Sequence, residues 1–181
     1  CDDKPKRRLH PRSAFRGAPA TSTTPNCLTF REIKMLEKLP FDLTSLREAY
    51  ADGVRPEDVI DEIYTRLEAV NDPGIFIHLC DRETLRAKAI ALGDYTPDKP
   101  LWGIPFGVKD NIDVAGIPTT AGCPAYAYKP EHDAFVVAKL RAAGALMIGK
   151  TNLDQFATGL VGIRTPYGAP KNSVDPTLVP G

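Results

Sequence analysis

The second half of this chain combines two short apolar segments with a helix between them, and this arrangement constrains the fold more than any other feature. Residues 106–109 predict a strand directly after Pro105, and residues 145–148 form an apolar run typical of a strand buried on both faces. The residues between them predict a helix that Asp133 caps and that ends at Gly144. Strand, helix and strand form a βαβ unit with a right-handed crossover, so we predict an α/β architecture with ligands at the carboxyl ends of parallel strands.

Three further helices and one short strand are predicted between residues 42 and 93. Asp42 caps the first helix, Pro56 lies in the first turn of the second, and Asp81 caps the third. A β-prone run at residues 75–79 separates the second helix from the third. The apolar residues of these helices recur every three to four positions, which indicates packing against a core and a structural role.

Residues 1–41 are predicted to be a disordered, basic and proline-rich tail with a lead-in to the folded domain. The first 26 residues contain four prolines and no sustained apolar period, so they cannot form a core. An organelle transit peptide is the alternative, but the acidic residues and prolines interrupt the amphipathic helix that such a peptide requires. Because the chain begins with Cys1 and stops in the turn-like segment 178–181, we expect it to be a fragment.

The composition is that of an ordinary soluble globular protein. With 43% hydrophobic and 25% charged residues, wholesale disorder, collagen and coiled coil are excluded. A formal net charge of zero gives no reason to expect nucleic acid or an anionic membrane as a partner. The four cysteines form no CxxC pair, so neither a zinc site nor a disulfide framework is indicated, and we expect a reducing, cytoplasmic location.

A phosphate-loop pattern, GxxxxGK[ST], matches residues Gly144 to Thr151 letter for letter. The pattern binds phosphate only where the residues between its glycines form a loop that follows a strand. Here a predicted helix precedes the first glycine, and a predicted buried strand replaces the loop. We interpret the match as accidental, and a nucleotide-binding protein remains the alternative from a different functional class.

Lys109 ends the first predicted strand of the βαβ unit, and Lys150 directly follows the second. The alternation of a strand places Lys109 opposite to Asp110, so this carboxylate is not automatically the ion-pair partner of Lys109. A lysine among apolar neighbours, without a carboxylate partner, has a lowered pKa and can act as a neutral base. The alternative for Lys109 is a surface lysine whose amine extends into water. Thr151 and Asn152 are predicted to open a short helix after Lys150. We therefore interpret Lys150 as structural, or as a support behind the residues that react.

Several segments of the second half resemble the amidase signature family in order and spacing. They are Gly103–Ile112, Thr119–Gly122, Gly149–Ala157, Asn172 and Val179–Gly181. The sequences of residues 119–128, 149–160 and 164–168 are most similar to those of family members that hydrolyse allophanate in urea degradation. The resemblance covers about residues 42–181. It implies the N-terminal portion of an amidase domain, with part of a mixed sheet flanked by helices and incomplete at the C-terminus.

The resemblance implies amide hydrolysis by two serines and a lysine. A nucleophilic serine attacks the amide carbonyl, a second serine that follows a cis peptide bond relays the proton, and a neutral lysine is the base. Lys109 matches that catalytic lysine. Ala157, Thr158 and Gly159 match the segment that lies along the acyl pocket in similar amidases. The resemblance implies a small-molecule amide substrate and no metal, nucleotide or other cofactor.

The two serines of this mechanism have no counterpart in the sequence. The four serines present are Ser13, Ser22, Ser45 and Ser173, and none lies in a glycine-serine run. We therefore predict that this chain alone does not hydrolyse allophanate. Another amidase, such as the A-type subunit of a tRNA-dependent amidotransferase, is the alternative within the family. The resemblance also implies a biotin-dependent urea carboxylase as a fused or separate partner.

Overall fold

The computed structural model describes residues 36–96 and 98–181, so the expectations for residues 1–35 lie outside the described residues. Within these ranges the chain forms four complete helices, three strands and two short 3₁₀ turns, at Pro124–Tyr126 and Gln155–Ala157, and residues 36–38 are also helical. The helices are α1 (Leu43–Ala51), α2 (Pro56–Val70), α3 (Arg82–Ala91) and α4 (Phe135–Ala142). The strands are β1 (Phe76–Leu79), β2 (Pro105–Lys109) and β3 (Leu146–Thr151).

The first three helices begin where the sequence predicts. The Asp42 carboxylate accepts hydrogen bonds from the backbone N–H groups of Thr44 and Ser45, both at 2.9 Å, and so caps α1. Asp81 caps α3 in the same way, accepting from the backbone N–H of Thr84 at 2.8 Å. Proline opens α2, where its missing N–H removes no helical hydrogen bond.

The three strands form one mixed sheet in the order β1-β3-β2. β3 lies between its neighbours, parallel to β2 and antiparallel to β1, and its first five residues are buried. The predicted mixed α/β architecture and the parallel pairing within the βαβ unit are therefore confirmed. A bulge between Phe106 and Gly107 shifts the register, so that Phe106 pairs with Met147 and Gly107 pairs with Gly149.

The predicted cap of α4 is wrong. Ala134 occupies the N-cap position and makes no side-chain cap bond. The Asp133 carboxylate instead contacts Arg141 Nη1 through both oxygens, at 2.8 and 2.7 Å, and accepts from the backbone N–H of Ala115 at 2.8 Å. A charge-assisted contact with a guanidinium is stronger than a neutral cap bond, so the carboxylate is drawn to the arginine.

The end of β3 also differs from the prediction. The strand extends to Thr151, so Lys150 lies within it rather than after it. Residues 152–154 form no helix, and the helical turn that follows begins only at Gln155. The Asn152 side chain instead donates to the backbone carbonyls of Gly74 and Gly168, at 2.9 and 2.8 Å, and ties two loops to the end of the strand.

The core consists of three apolar clusters around the sheet. Leu46, Val54 and Val59 belong to the first cluster, in which Leu36 is also buried with 3% of its surface exposed. Packing against the domain therefore begins before residue 42. The second cluster joins α2 and α3 to β3, and the third joins β2 and β3 to α4. Among the described residues, no helix is long and apolar enough to cross a membrane.

Candidate active site

The carboxyl ends of β2 and β3 form one edge of the sheet. Lys109 lies opposite Thr151 in the parallel register, and the backbone N–H of Asp110 donates to the Thr151 carbonyl at 3.1 Å. Because the two strands run in the same direction, Lys109, Asp110 and Lys150 meet at this edge. The structure thus brings the backbones of the two lysines to one edge of the sheet, with their side chains on opposite faces.

A buried ion pair lies directly behind this edge. Lys150 Nζ is 3.2 Å from Asp110 Oδ1, and both side chains are 0% exposed. Lys150 Nζ also donates to Thr119 Oγ1 at 3.1 Å and to the Pro118 carbonyl at 3.4 Å. A buried charge is costly unless it is paired and hydrogen-bonded. Each ion supplies the opposite charge for the other, but among the described residues Asp110 Oδ1 accepts no hydrogen bond. Lys150 therefore lies in the folded interior, although the helix that was predicted to open at Thr151 and Asn152 is not formed.

The second oxygen of the Asp110 carboxylate holds the following turn. Asp110 Oδ2 accepts from the backbone N–H of Thr120 at 3.0 Å and from Thr120 Oγ1 at 2.5 Å. Ala121 and Gly122 then adopt positive φ angles of 51° and 71°. The Ala121 carbonyl accepts from the backbone N–H of Phe156 at 2.8 Å. The carboxylate thereby connects the end of β2 to the turn that begins the 155–159 segment.

Lys109 faces away from this buried network. Its side chain is exposed, and among the described residues it forms no ion pair. The sequence left the ion-pair partner of Asp110 open, and in the structure its carboxylate contacts Lys150. The expected apolar enclosure of Lys109 is not supplied by the described residues, since Gly107 on the same face is also exposed. The role of Lys109 as a base stays a prediction.

The 157–159 segment lies at the surface. Ala157 and Thr158 are exposed, and Ala157 adopts a φ of 55°. The Thr158 hydroxyl donates to the Gln155 carbonyl at 2.8 Å, which closes the turn. A side chain at Gly159 would collide with the Asp154 carboxylate, so glycine is required there for close packing. The proposed contact of these three residues with substrate stays a prediction.

Asp154 shapes the loop that follows this segment. Its carboxylate accepts from the backbone N–H groups of Val161 and Gly162, both at 3.0 Å, and of Arg164 at 2.7 Å. These backbone hydrogen bonds, with that from Arg164 the strongest, hold the pKa of Asp154 below its usual value. The loop therefore curls around a carboxylate, against which Gly159 also packs.

The phosphate-loop alternative lacks its loop in the structure. Residues 146–151 form β3, whose backbone groups pair with β1 and β2. Backbone N–H groups engaged in a sheet do not wrap around a phosphate. Gly144 lies in the turn between α4 and β3, at a φ of 92°. The structure gives the pattern no nucleotide-binding geometry.

Sequence reasoning missed Asp110, Thr119 and Thr120 as parts of the site. One signal for Asp110 was present, because the alternation of β2 placed it opposite to Lys109 and therefore toward the interior. No local pattern indicated the two threonines, since their partners are 10 and 31 residues away along the chain.

Comparison with known proteins finds one matching family and several similar proteins. A protein-family model described as Amidase matches residues 58–181. Urea amidolyase of Saccharomyces cerevisiae is 68% identical over 69 residues, which are 38% of this chain and 4% of the relative. The A-type subunit of the glutamyl-tRNA(Gln) amidotransferase of Lawsonia intracellularis is 47% identical over 109 residues, which are 59% of this chain and 22% of the relative.

The structure is similar to that of allophanate hydrolase of Kluyveromyces lactis. The two share 44% sequence identity with a TM-score of 0.55, over 66% of this chain and 20% of the solved one. The chain therefore spans less than a quarter of the length of each of these three proteins.

Proposed function

This chain belongs to the amidase family, and on that premise we propose that it supplies Lys109 as the base of an amide-hydrolysing site that acts on allophanate. The family model covers β2, β3 and the ion pair between them. The higher identity to urea amidolyase, 68% over 69 residues, favours allophanate over the substrates of other amidases.

The observation that carries the proposal is the division of roles between the two lysines at the sheet edge. Lys150 is buried against Asp110, so its amine is enclosed inside the fold. Lys109 is exposed on the other face of β2, where its amine can reach a group outside the described residues. A base must lie within hydrogen-bond reach of the proton that it accepts, and the exposure of Lys109 supports this role for it rather than for the enclosed Lys150.

The proposed mechanism gives this chain one of three reacting groups. A serine hydroxyl attacks the carbonyl carbon of the amide, a second serine passes the proton on, and the Lys109 amine accepts it. We propose that both serines, and an apolar cover over Lys109, come from polypeptide other than the described residues. Ser45 is engaged by the Asp42 carboxylate at 2.8 Å, and Ser173 is exposed in a loop. We accordingly propose that the chain alone is inactive.

The proposed substrate also indicates a partner. Allophanate is the carboxylation product of urea, so a biotin-dependent urea carboxylase, fused or separate, would supply it. The relative named urea amidolyase supports this pairing. The 47% identity over 109 residues to an amidotransferase subunit favours a second candidate, release of ammonia from a side-chain amide for transfer to a tRNA-bound amino acid.

A chimaera tests the proposal. Residues 58–181 replace the matching segment of the K. lactis allophanate hydrolase, whose remainder supplies the other groups, and ammonia release from allophanate is measured. We expect hydrolysis, and we expect Lys109→Met to lower kcat by about 10²-fold or more, the usual contribution of a general base. Lys171→Met is the matched control, because Lys171 is also an exposed lysine.

Each other outcome has a definite meaning. Unchanged hydrolysis in the Lys109→Met chimaera contradicts the role of that amine. Ammonia release from glutamine in preference to allophanate favours the amidotransferase candidate. Hydrolysis of allophanate by the unmodified 181-residue chain contradicts its proposed inactivity.

A further inference from the structure

The carboxylate of Asp110, the residue that follows the proposed base, has no role in the proposed reaction. Its side chain is 0% exposed, whereas that of Lys109 is exposed on the opposite face of β2. Burial of a charge is costly, and apolar residues in place of a buried ion pair often give an equally stable or more stable protein. Stability alone therefore does not explain why a carboxylate lies at this position.

Backbone hydrogen bonds hold both sides of the peptide group that joins Lys109 to Asp110. The Lys109 carbonyl accepts from the backbone N–H of Ile112 at 2.9 Å, and the Asp110 N–H donates to the Thr151 carbonyl at 3.1 Å. The Asp110 carbonyl accepts from the backbone N–H of Ala121 at 3.3 Å. Because the carboxylate is also anchored in the interior, this peptide group cannot rotate freely. The direction in which the Lys109 side chain leaves β2 is thereby set.

The same carboxylate holds the buried turn, which we define as residues 120–122. Asp110 Oδ2 accepts from the backbone N–H of Thr120 at 3.0 Å and from its hydroxyl at 2.5 Å. Thr120 Oγ1 also accepts from the backbone N–H of Gly122 at 3.2 Å. All three residues of the turn are buried. A donor of Thr120 that loses its acceptor on Asp110 therefore stays unpaired, at a cost, unless the turn moves.

The buried turn in turn holds the start of the segment that is proposed to contact substrate. The backbone N–H of Phe156 donates to the Ala121 carbonyl at 2.8 Å, and Gln155 Nε2 donates to the Gly122 carbonyl at 3.2 Å. Phe156 and Ala157 adopt positive φ angles of 52° and 55°, which residues other than glycine rarely adopt. Such a conformation persists only where the surrounding structure holds it. The hydrogen bonds to the buried turn are part of that support.

We propose that Asp110 is a positioning residue, which holds Lys109 in place relative to residues 157–159, and this role rests on the function proposed for Lys109. The carboxylate itself contacts neither the substrate nor the transferred proton. Asp110 is joined to the base by one peptide bond and to Phe156 through the buried turn. A displacement of about 1 Å between reacting groups can lower a rate by about 10²-fold, so a rigid connection between base and substrate segment favours the reaction.

Two double variants separate this role from the loss of the ion pair. The Asn variant is Asp110→Asn, Lys150→Met, and the Leu variant is Asp110→Leu, Lys150→Met. Both remove the two buried charges, and asparagine and leucine have similar shapes. The amide oxygen of asparagine still accepts from Thr120, whereas leucine accepts no hydrogen bond. The Leu variant alone therefore breaks the link between β2 and the buried turn.

The link is measured first in the full 181-residue chain, without any hydrolysis. NMR follows hydrogen exchange of the Phe156 N–H, at a temperature where circular dichroism shows both variants to be folded. We expect exchange at least about tenfold faster in the Leu variant than in the Asn variant, because the turn that holds this N–H is released. The control is the Val54 N–H, which donates to the Ala49 carbonyl at 3.0 Å in the first core cluster, and we expect equal exchange there.

The consequence for the reaction is measured in the chimaera that carries residues 58–181. We expect the Asn variant to keep kcat within about threefold of the parent chimaera and the Leu variant to lower it at least about tenfold. In the Lys109→Met background, we expect the Leu substitutions to cause no further loss. A positioning residue acts through the base, so its effect disappears when the base is absent.

Asp133 provides a matched control for lost stability. Its carboxylate also pairs with a cation, Arg141, and also accepts from a backbone N–H, that of Ala115. None of these contacts leads to the buried turn. We expect Asp133→Leu, Arg141→Met to destabilise the chimaera but to keep kcat of the folded protein within about threefold.

The positioning role of Asp110 is overturned by equal exchange of the Phe156 N–H, or equal kcat, in the Asn and Leu variants. It is also overturned by a further loss of activity in the Lys109→Met background, or by an equal loss in the Asp133 control. If the Leu variant does not fold, Thr120→Val removes only the hydroxyl part of the link, and an unchanged kcat in that variant overturns the role.

A different result marks failure of the proposed function. If Lys109→Met hydrolyses allophanate as fast as the parent chimaera, Lys109 is not the base and Asp110 does not position one. Exchange of the Phe156 N–H in the 181-residue chain still decides whether the carboxylate holds the segment, because that measurement needs no activity.

Discussion

Removal of the Lys150 amine tests the physical basis of the site most directly. In Lys150→Met the Asp110 carboxylate stays fully buried and loses its cation, while the side chain that replaces lysine is of similar length. At 3.2 Å, and with an effective dielectric constant of about 20, the attraction between the two charges is about 5 kcal/mol. Part of this gain offsets the desolvation of both ions, so the pair is not a net stabiliser of that size.

The cost of breaking the pair is larger than its net contribution. Loss of one partner from a buried ion pair leaves an uncompensated charge, and we expect Lys150→Met to lower the free energy of unfolding by about 3–5 kcal/mol. In the double variant Asp110→Asn, Lys150→Met no charge is buried, and the amide oxygen can still accept from Thr120. We therefore expect the double variant to be more stable than Lys150→Met alone.

Urea denaturation followed by circular dichroism measures these differences. Lys109→Met is the matched control, because this lysine lies on the adjacent strand but is exposed, and we expect a change within about 0.5 kcal/mol. A cost below about 1 kcal/mol for Lys150→Met, or a double variant less stable than the single one, would refute the reasoning. If Lys150→Met does not fold, the comparison of the double variant with the parent protein still decides the matter.

Three further predictions concern packing and acid stability. A Cβ atom at Gly149 would collide with the His78 carbonyl oxygen across the sheet, so we expect Gly149→Ala to cost about 2 kcal/mol in thermal or urea unfolding. Leu85 is 1% exposed between α3 and the sheet, and we expect Leu85→Ala to cost about 3 kcal/mol. Backbone N–H groups, foremost that of Arg164, lower the pKa of Asp154 below its ordinary value of 3.8, so its contribution to stability is full above that value and is lost as pH falls through the lowered pKa. Carboxylates titrate between about pH 5 and pH 2. In this range we expect the melting temperature of Asp154→Asn to fall less steeply with decreasing pH than the melting temperature of the parent protein.

Controls and contrary outcomes for these three are specific. Ala142, which is exposed near the end of α4, gives a surface control in Ala142→Gly, and we expect a cost of no more than about 1 kcal/mol. Asp98→Asn is the control for acid stability, because Asp98 is exposed in a loop. Equal costs at Gly149 and at the surface control would contradict the close strand approach. Parallel pH profiles for Asp154→Asn and the parent would contradict the role of the carboxylate in the loop.

The sequence by itself determined the elements and the family. Caps at Asp42 and Asp81, the proline that opens α2 and the alternation of β2 depend on residues a few positions apart, so they can be read along the chain. The motif segments around residues 103–122 and 149–157 predicted the amidase family, and the family model confirms it. The face of Asp110 was predicted for the same local reason.

The tertiary structure decided which side chains and strands contact one another. Asp110 meets Lys150 only because β3 pairs with β2 in a register that brings together residues 40 positions apart. Asp133 does not cap α4 as predicted, because it makes a stronger contact with Arg141. β1 pairs with β3 on the side opposite to β2. These contacts are decided by competition among groups that only the folded chain brings together. Local periodicity and capping rules therefore cannot predict them.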